Sequence, residues 1–423
     1  MSTMPARLVA ATDAQLAGAS VRSKRYVVVR LQAPPADLTT PPRALHVALV
    51  LDRSGSMGGD KIRLAREAAA KALRMLRPMD RFTLVCFDNQ IDVVQPATQA
   101  TPAAIGAAIR ALDSIDARDG TNLSDAWTEG CRQLGDGYSS AAVTRCILLT
   151  DGQANAGITD AAQLTTLAGG LRIAGIHTSA FGIGRDFDEL LLTAITTAGG
   201  GRFCYVENAL QIPDFLQSEL GEALDVTARG VTLHLRPLAG MTVELLSYFD
   251  VRDVDGGRDI AVGDLLADQE LDIGLRVTVP QRAEGESMRL DLHASDRDGL
   301  FARTQASVQW TSASDTLNEL QGRNPDVRRA CALLEADKAR YKAIVCNRHG
   351  DYPGAQAQLQ HIIDRLTRAE RFDRELLPLI HGLKLDLERL ARPMDEAPRK
   401  QMHQTTVRSS KSRSFDGTVR RSR

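Results

Sequence analysis

Val50-Leu51-Asp52-Arg53-Ser54-Gly55-Ser56-Met57 is the stretch on which the fold turns. An apolar run from Ala44 to Leu51 ends directly in Asp-x-Ser-x-Ser and a glycine-rich turn. Apolar character on successive residues, without alternation, reads as a strand buried on both faces, which is the situation of a parallel sheet covered by helices. Outward from this run, similar strands are predicted at Arg81 to Phe87, Ile91 to Gln95, Val143 to Thr150, Ile176 to Gly182 and Gly201 to Val206. Amphipathic segments fill the gaps: Asp60 to Leu76, Pro102 to Leu112, Leu123 to Leu134, Asp160 to Leu171, Phe187 to Thr197 and Ile212 to Leu224. In the first of them Ile62, Ala65, Ala69, Ala72, Leu73 and Leu76 recur at helical spacing, with Asp60 in position to cap. Strand and helix alternation over 44–226 predicts an α/β domain with a doubly wound, mostly parallel six-stranded sheet.

The flanks have another rhythm. Residues 1–43 contain Tyr26-Val27-Val28-Val29, and 227–312 hold alternating runs such as Val231-Thr232-Leu233-His234-Leu235, Met288 to His293 and Ala306 to Trp310. Alternation of this kind predicts antiparallel strands, and strands from both flanks can share one β-sandwich around an inserted domain. Residues 313–395 return to helical spacing, with Val327, Ala330, Leu333 and Leu334 on one stripe and Gly350-Asp351-Tyr352-Pro353 as a break, and are expected to form a helical appendage. The last segment, 396–423, is rich in Arg, Lys and Ser and is expected to be a disordered basic tail.

At 423 residues the chain is too long for one core, and 43% hydrophobic with 25% charged residues excludes wholesale disorder. Lys plus Arg (52) and Asp plus Glu (53) nearly cancel, so no protein-wide field draws the chain to nucleic acid or anionic lipid. The longest apolar run is far short of the roughly 20 residues of a membrane helix, so no membrane span is expected. Met1 to Ala19 carries Arg7 and Asp13 and does not read as a secretory signal. Six cysteines without metal-ligand spacing read as reduced, mostly buried thiols of a cytoplasmic protein.

The Asp52 loop follows the first predicted strand of the sheet, and Leu148-Leu149-Thr150-Asp151-Gly152 puts an acid just beyond another. Between them Gly120-Thr121-Asn122 can present a hydroxyl at the start of a helix. In an open parallel sheet, binding groups collect beyond the carboxyl ends of strands where the strand order reverses. Asp52, Ser54, Ser56, Thr121 and Asp151 are therefore the candidate metal ligands. Their oxygen-only chemistry, with no His or Cys, suits a hard cation, Mg²⁺ first and Mn²⁺ or Ca²⁺ as alternatives.

On these residues the chain resembles the von Willebrand factor type A (VWA) domains, a Rossmann-like family whose metal-ion-dependent adhesion site (MIDAS) reads DxSxS, then Thr, then Asp. LDRSGSM, DGTNL and LLTDGQANAG each look like the family's local wording. The resemblance implies that Ser54, Ser56 and Thr121 bind the ion directly while Asp52 and Asp151 act at least partly through water. It implies a metal-dependent protein–protein interaction in which a partner's Asp or Glu completes the shell. The flanking segments look like bacterial cytoplasmic members, some of which work beside AAA+ ATPases or kinase and phosphatase partners.

An alternative is a scaffold acting through its helical region and basic, phosphorylatable tail. An enzyme is not expected. Ser54 and Ser56 lack a base in any recognisable triad motif, His46, His177 and His234 fall in strand patterns that give them structural roles, and the GxxxxGK[ST] phosphate loop is absent.

Overall fold

A computed structural model describes residues 5–36, 43–118, 120–135, 141–370, 373–413 and 418–421. The chain begins with β1 (Arg7–Thr12), β2 (Leu16–Gly18) and β3 (Ser23–Gln32). The α/β segment then runs β4 (Leu45–Asp52), α1 (Asp60–Met75), β5 (Arg81–Phe87), β6 (Ile91–Gln99), α2 (Pro102–Asp113), α3 (Leu123–Gly135) and β7 (Val143–Thr150). It ends with α4 (Ala161–Ile173), β8 (Ile176–Ile183), α5 (Glu189–Ala198), β9 (Gly200–Val206) and α6 (Ile212–Leu224). Further strands are β10 (Val226–Pro237), β11 (Thr242–Leu245), β12 (Asp250–Val254), β13 (Gly257–Leu266), β14 (Glu270–Val279), β15 (Ser287–Ser295) and β16 (Gln305–Ala313). Five helices follow: α7 (Asp315–Leu320), α8 (Pro325–Arg348), α9 (Tyr352–Glu370), α10 (Leu377–Leu390) and α11 (Glu396–Ser410). Two compact units result, Ala36–Arg229 and the combination of Met1–Pro35 with Gly230–Arg423.

In the first unit the sheet order is β6-β5-β4-β7-β8-β9. All pairings are parallel except β5 with β6, which turn back at Asp88-Asn89-Gln90. This is the doubly wound, mostly parallel six-stranded sheet expected from the sequence, flanked by helices. Every residue of β4, β7 and β8 is buried, so their mostly apolar character without alternation is explained by burial on both faces. Each such Val, Leu or Ile contributes about 1.5–3 kcal/mol relative to exposure. Close packing of α3 on β4 needs a glycine, because a Cβ on Gly130 would stand 2.7 Å from Val50 Cγ2. The expected stripe of α1 is buried in full, from Ile62 to Leu76.

Local boundaries differ for identifiable reasons. β6 continues past Gln95 to Gln99 through Pro96, which an edge strand tolerates because one side of its ladder is open. Asp60 does not cap α1; Gly59, with φ of 75°, precedes the helix, and the Asp60 carboxylate pairs with Arg63. Asp188, predicted inside a helix, instead caps α5 by accepting from the N–H groups of Leu190 and Leu191. Asp160 caps α4 in the same way through Gln163.

The second unit contains a four-stranded sheet, β1-β3-β14-β11, and a six-stranded sheet, β12-β13-β10-β15-β16-β2. Strands from both ends of the chain share these sheets. β3 pairs along its whole length with β14, and β2 runs parallel to β16. Trp310 of β16 is buried and donates its indole N–H to Thr12 Oγ1 of β1 at 3.1 Å, tying one sheet to the other. The helices belong to this same unit: Val327, Cys331 and Leu334 of α8 pack on Val28 and Leu246.

The expectation of a disordered tail over 396–423 is corrected. Residues Glu396–Ser410 form α11, in which Lys400 and His403 are fully buried. Composition misled because the basic groups find acids within the unit. Arg399 and Lys400 pair with Glu396, Ser409 Oγ donates to Asp337 at 2.6 Å, and Arg420 bonds to Asp272. Residues 414–417 and 422–423 of that segment lie outside the described residues. No helix among the described residues is long and apolar enough to cross a membrane. All six cysteines are free, five of them buried.

Candidate metal-binding site

The chain leaves β4 toward β5 and β6 on one side and returns on the other as β7, β8 and β9. The strand order therefore reverses between β4 and β7, and the crevice at their carboxyl ends is where such sheets bind ligands. Asp52 is the last residue of β4, and Asp151 directly follows β7. A tight turn, Gly55–Met57, closed by Met57 N–H on the Ser54 carbonyl at 2.9 Å, brings Ser56 back over the strand end.

Backbone bonds knit the loops together. Arg118 N–H donates to Arg53 O at 2.7 Å, Asn122 N–H to Asp88 O at 2.8 Å, and Asn155 N–H to Thr121 O at 3.2 Å. Thr121 N–H returns to Asn155 Oδ1 at 3.0 Å. Arg53, buried beneath the loop, is bonded to Asp88 at 2.9 Å and to Asp92. The turn before Thr121 depends on Gly120, whose φ of 85° is open to glycine and strained for other residues.

Four of the five predicted ligands form a continuous polar chain. Asp52 Oδ1 accepts from Ser54 N–H at 2.8 Å, Ser54 Oγ and Ser56 Oγ lie 3.1 Å apart, and Ser56 Oγ donates to Asp151 Oδ1 at 2.6 Å. The fifth, Thr121, is adjacent: a Cβ on Gly152 would lie 3.3 Å from Thr121 Oγ1 and 3.8 Å from Ser56 Oγ. Asp52 and Asp151 are fully buried and Thr121 nearly so, whereas Ser56 is exposed, giving the cluster acids beneath and a hydroxyl at its mouth.

Burial, reinforced by the charge of Asp151, pushes the Asp52 carboxyl up to about 6 despite its bonds to Thr150 and Ser54. Two buried carboxylates side by side call for positive charge. Lys61 of α1 supplies it, donating to Asp151 Oδ2 and, at 3.2 Å, to the Ser56 carbonyl. Thr150, which donates to Asp52 Oδ2 at 2.5 Å, and Lys61 are the site residues that sequence reading missed. Their signals were position alone: Thr150 is the residue before Asp151, and Lys61 sits one turn beyond the loop.

Among the described residues no group of three or more His, Cys, Asp or Glu gathers at metal-binding distance. A cation here would depend on the hydroxyls of Ser54, Ser56 and Thr121 beside the two acids. That donor set, with an ammonium already standing against one acid, fits a hard dication.

Three other conspicuous side chains are structural. Met57 and Trp127 are fully buried, and Trp127 donates to Thr178 Oγ1 at 3.1 Å. His234 lies between Asp259 at Nδ1 and Ser295 at Nε2, both 2.8 Å away, and stacks on His293 with centroids 4.2 Å apart. These side chains come from the adjacent strands β13, β10 and β15, and Asp259 also holds Arg236, so the cluster is a cross-strand polar network.

An open, mostly parallel six-stranded sheet wrapped by helices, with an all-oxygen cluster at its switch point, defines a doubly wound α/β domain. Residues 46–218 match the family model of the von Willebrand factor type A domain. Residues 46–218 thus form a von Willebrand factor type A domain, a protein-interaction module.

Among curated relatives, an uncharacterized protein of Synechocystis sp. is 26% identical over 294 residues, covering 64% of this chain and 68% of that protein. Inter-alpha-trypsin inhibitor heavy chain H4 of Bos taurus is 32% identical over 217 residues, covering 48% of this chain and 23% of the inhibitor chain. The similarity thus spans less than a quarter of the bovine protein. Among solved structures, a von Willebrand factor type A protein from Catenulispora acidiphila aligns with a TM-score of 0.74 at 19% identity, over 97% of this chain and 98% of that one. The ArnB paralog VWA2 from Sulfolobus acidocaldarius aligns at 0.63 and 15% identity, over 97% and 99%. At these identities the agreement is one of fold, and it extends over both units.

Proposed function

We propose that the chain binds an acidic residue of a partner protein through a divalent cation held by Asp52, Ser54, Ser56, Thr121 and Asp151. Mg²⁺ is the first choice, with Mn²⁺ or Ca²⁺ as alternatives. The observation that carries this reading is the polar chain from Asp52 through Ser54 and Ser56 to Asp151 at the switch point.

The bound ion would supply a concentrated positive charge with a coordination position open to an incoming carboxylate. The chain's own residues do the rest. Thr150 and the Ser54 N–H fix both oxygens of Asp52, Asn155 holds the Thr121 backbone, and Arg53 anchors the loop to Asp88. Neutral hydroxyls as donors leave much of the ion's charge for the partner. No residue is assigned a catalytic step, and buried free thiols fit a reducing, cytoplasmic setting.

Calorimetric titration of the full chain with MgCl₂, MnCl₂ and CaCl₂ tests the reading. Uptake of one dication by the wild type, lost in Ser54→Ala with the fold intact by circular dichroism, is expected. Absence of uptake of all three ions by the folded wild type overturns it. The scaffold alternative, with an AAA+ ATPase or kinase/phosphatase partner on the tail, is weakened by α11 and Arg420 being engaged within the unit.

A further inference from the structure

Lys61 stands in the first turn of α1 and reaches across the carboxyl edge of the sheet. Its ammonium donates to Asp151 Oδ2 and to the backbone carbonyl of Ser56, so it touches one acid of the cluster and the loop that carries two of its hydroxyls. Its terminal carbon and nitrogen are both 3.4 Å from where a Cβ on Gly184, just beyond β8, would stand. The other Asp151 oxygen is taken by Ser56 Oγ. Both oxygens of this fully buried carboxylate are therefore engaged, while the Lys61 side chain keeps 29% of its surface exposed.

An ammonium and a dication cannot both lean on Asp151 without strong mutual repulsion in a site shielded from water. One of them is mobile. Lysine carries its charge on a flexible four-carbon stem and is strongly hydrated, so the exposed side chain can swing outward, whereas the acids are fixed by the strand ends.

We propose that Lys61 is a built-in placeholder for the dication. It neutralises Asp151 while no ion is bound, and it competes with the ion for that carboxylate, lowering the affinity of the site. This rests on the metal-dependent reading above and adds its regulation. The opposite role, with Lys61 positioning Asp151 for the ion, makes the opposite prediction for a neutral replacement.

The test is a Mn²⁺ titration of the full chain, followed by electron paramagnetic resonance, on wild type, Lys61→Met, Lys61→Gln and Lys61→Arg. The two neutral variants should bind Mn²⁺ about five- to tenfold more tightly, the ratio expected when one partly exposed ion pair no longer has to be broken. Lys61→Arg, which keeps the charge, should remain within about threefold of wild type. In EDTA the neutral variants should unfold at lower temperature than wild type, and the difference should close at saturating Mn²⁺, where the tighter binding offsets the lost ion pair.

Folded Lys61→Met and Lys61→Gln proteins that bind Mn²⁺ no more tightly than a binding wild type overturn the placeholder role and leave the metal reading standing. If wild type takes up no Mn²⁺ and the neutral variants do, the placeholder role holds. If none of the four folded proteins takes up Mn²⁺, Mg²⁺ or Ca²⁺, both readings fail.

Discussion

Asp52 offers a direct measure of how much this site costs the fold when no cation is present. Its carboxyl moves from 3.8 to about 6, chiefly through burial and further through Asp151. At about 1.4 kcal/mol per unit, two units correspond to roughly 3 kcal/mol of instability at pH 7 in metal-free protein. Asp52→Asn removes the charge and keeps the shape. The amide oxygen still accepts from Ser54 N–H, and the amide nitrogen can donate to the Thr150 hydroxyl that now donates to Oδ2. Allowing about 1 kcal/mol for weaker, uncharged hydrogen bonds leaves a net gain of about 2 kcal/mol.

For a domain of this size that gain raises the melting temperature by about 4–8 °C in EDTA at pH 7, measured by scanning calorimetry. The sign with pH follows from the raised value. The folded state holds the Asp52 proton more tightly than the unfolded chain. Wild-type stability from this group therefore falls as pH rises from about 4 through 6, and Asp52→Asn is flat over that window. The two proteins converge near pH 4. Saturating Mg²⁺ should reverse their order, because only wild type gains binding free energy. A cooperative transition in which Asp52→Asn is less stable than wild type in EDTA at pH 7 would refute the reasoning, since Asp52 would then be a net stabiliser without its ion.

Gly120→Ala should lower the stability of the α/β unit by about 1–2 kcal/mol through its left-handed backbone, and the new Cβ would stand 1.8 Å from Asn89 Oδ1. Urea unfolding reads that loss, and Mg²⁺ uptake should weaken with it because Thr121 is the next residue. Glu219→Gln should cost about 1–3 kcal/mol, because the half-buried Arg202 loses one of its two carboxylates and keeps Glu222 at 2.5 Å, while the amide oxygen can still accept from Ser179. Although burial alone would raise the Glu219 carboxyl, Arg202 and its other partners hold it below the usual range. That stability is present above about pH 4.5 and is lost as pH falls through the lower folded value. His293 is pushed below its usual 6.5 by burial and by His234, so its contribution is present above about 6.5 and lost on acidification; His293→Asn should flatten the melting temperature over that range.

The parts legible in the sequence were those fixed by local pattern. β4, β7 and β8 announced themselves because burial on both faces leaves mostly apolar and β-branched runs without strict alternation, and two acids of the site, Asp52 and Asp151, lie at the ends of β4 and β7. Long-range partners were harder to read. Gly59 rather than Asp60 precedes α1 because the loop enters with positive φ, which residue type alone does not report. Arg399 and Lys400 looked like solvated charges until Glu396 and the packing of α11 supplied their surroundings. Lys61 was visible as a basic residue after a glycine-rich turn, but its bond to Asp151 joins positions 90 residues apart that only the parallel pairing of β4 with β7 brings together.

The pairing of β3 with β14 has a consequence for synthesis on the ribosome. Val29 meets Ile273, so the N-terminal strands emerge long before the strand that completes their sheet has been translated. At about 5–20 residues per second that delay is of the order of ten seconds or more. During it, the intervening polypeptide can form the whole β4–β9 sheet while the hairpin of β1 and β3 still exposes an edge. A nascent chain arrested before Glu270 should therefore carry a finished α/β unit beside an adhesive edge, a stage at which chaperone binding would be concentrated on residues 7–32.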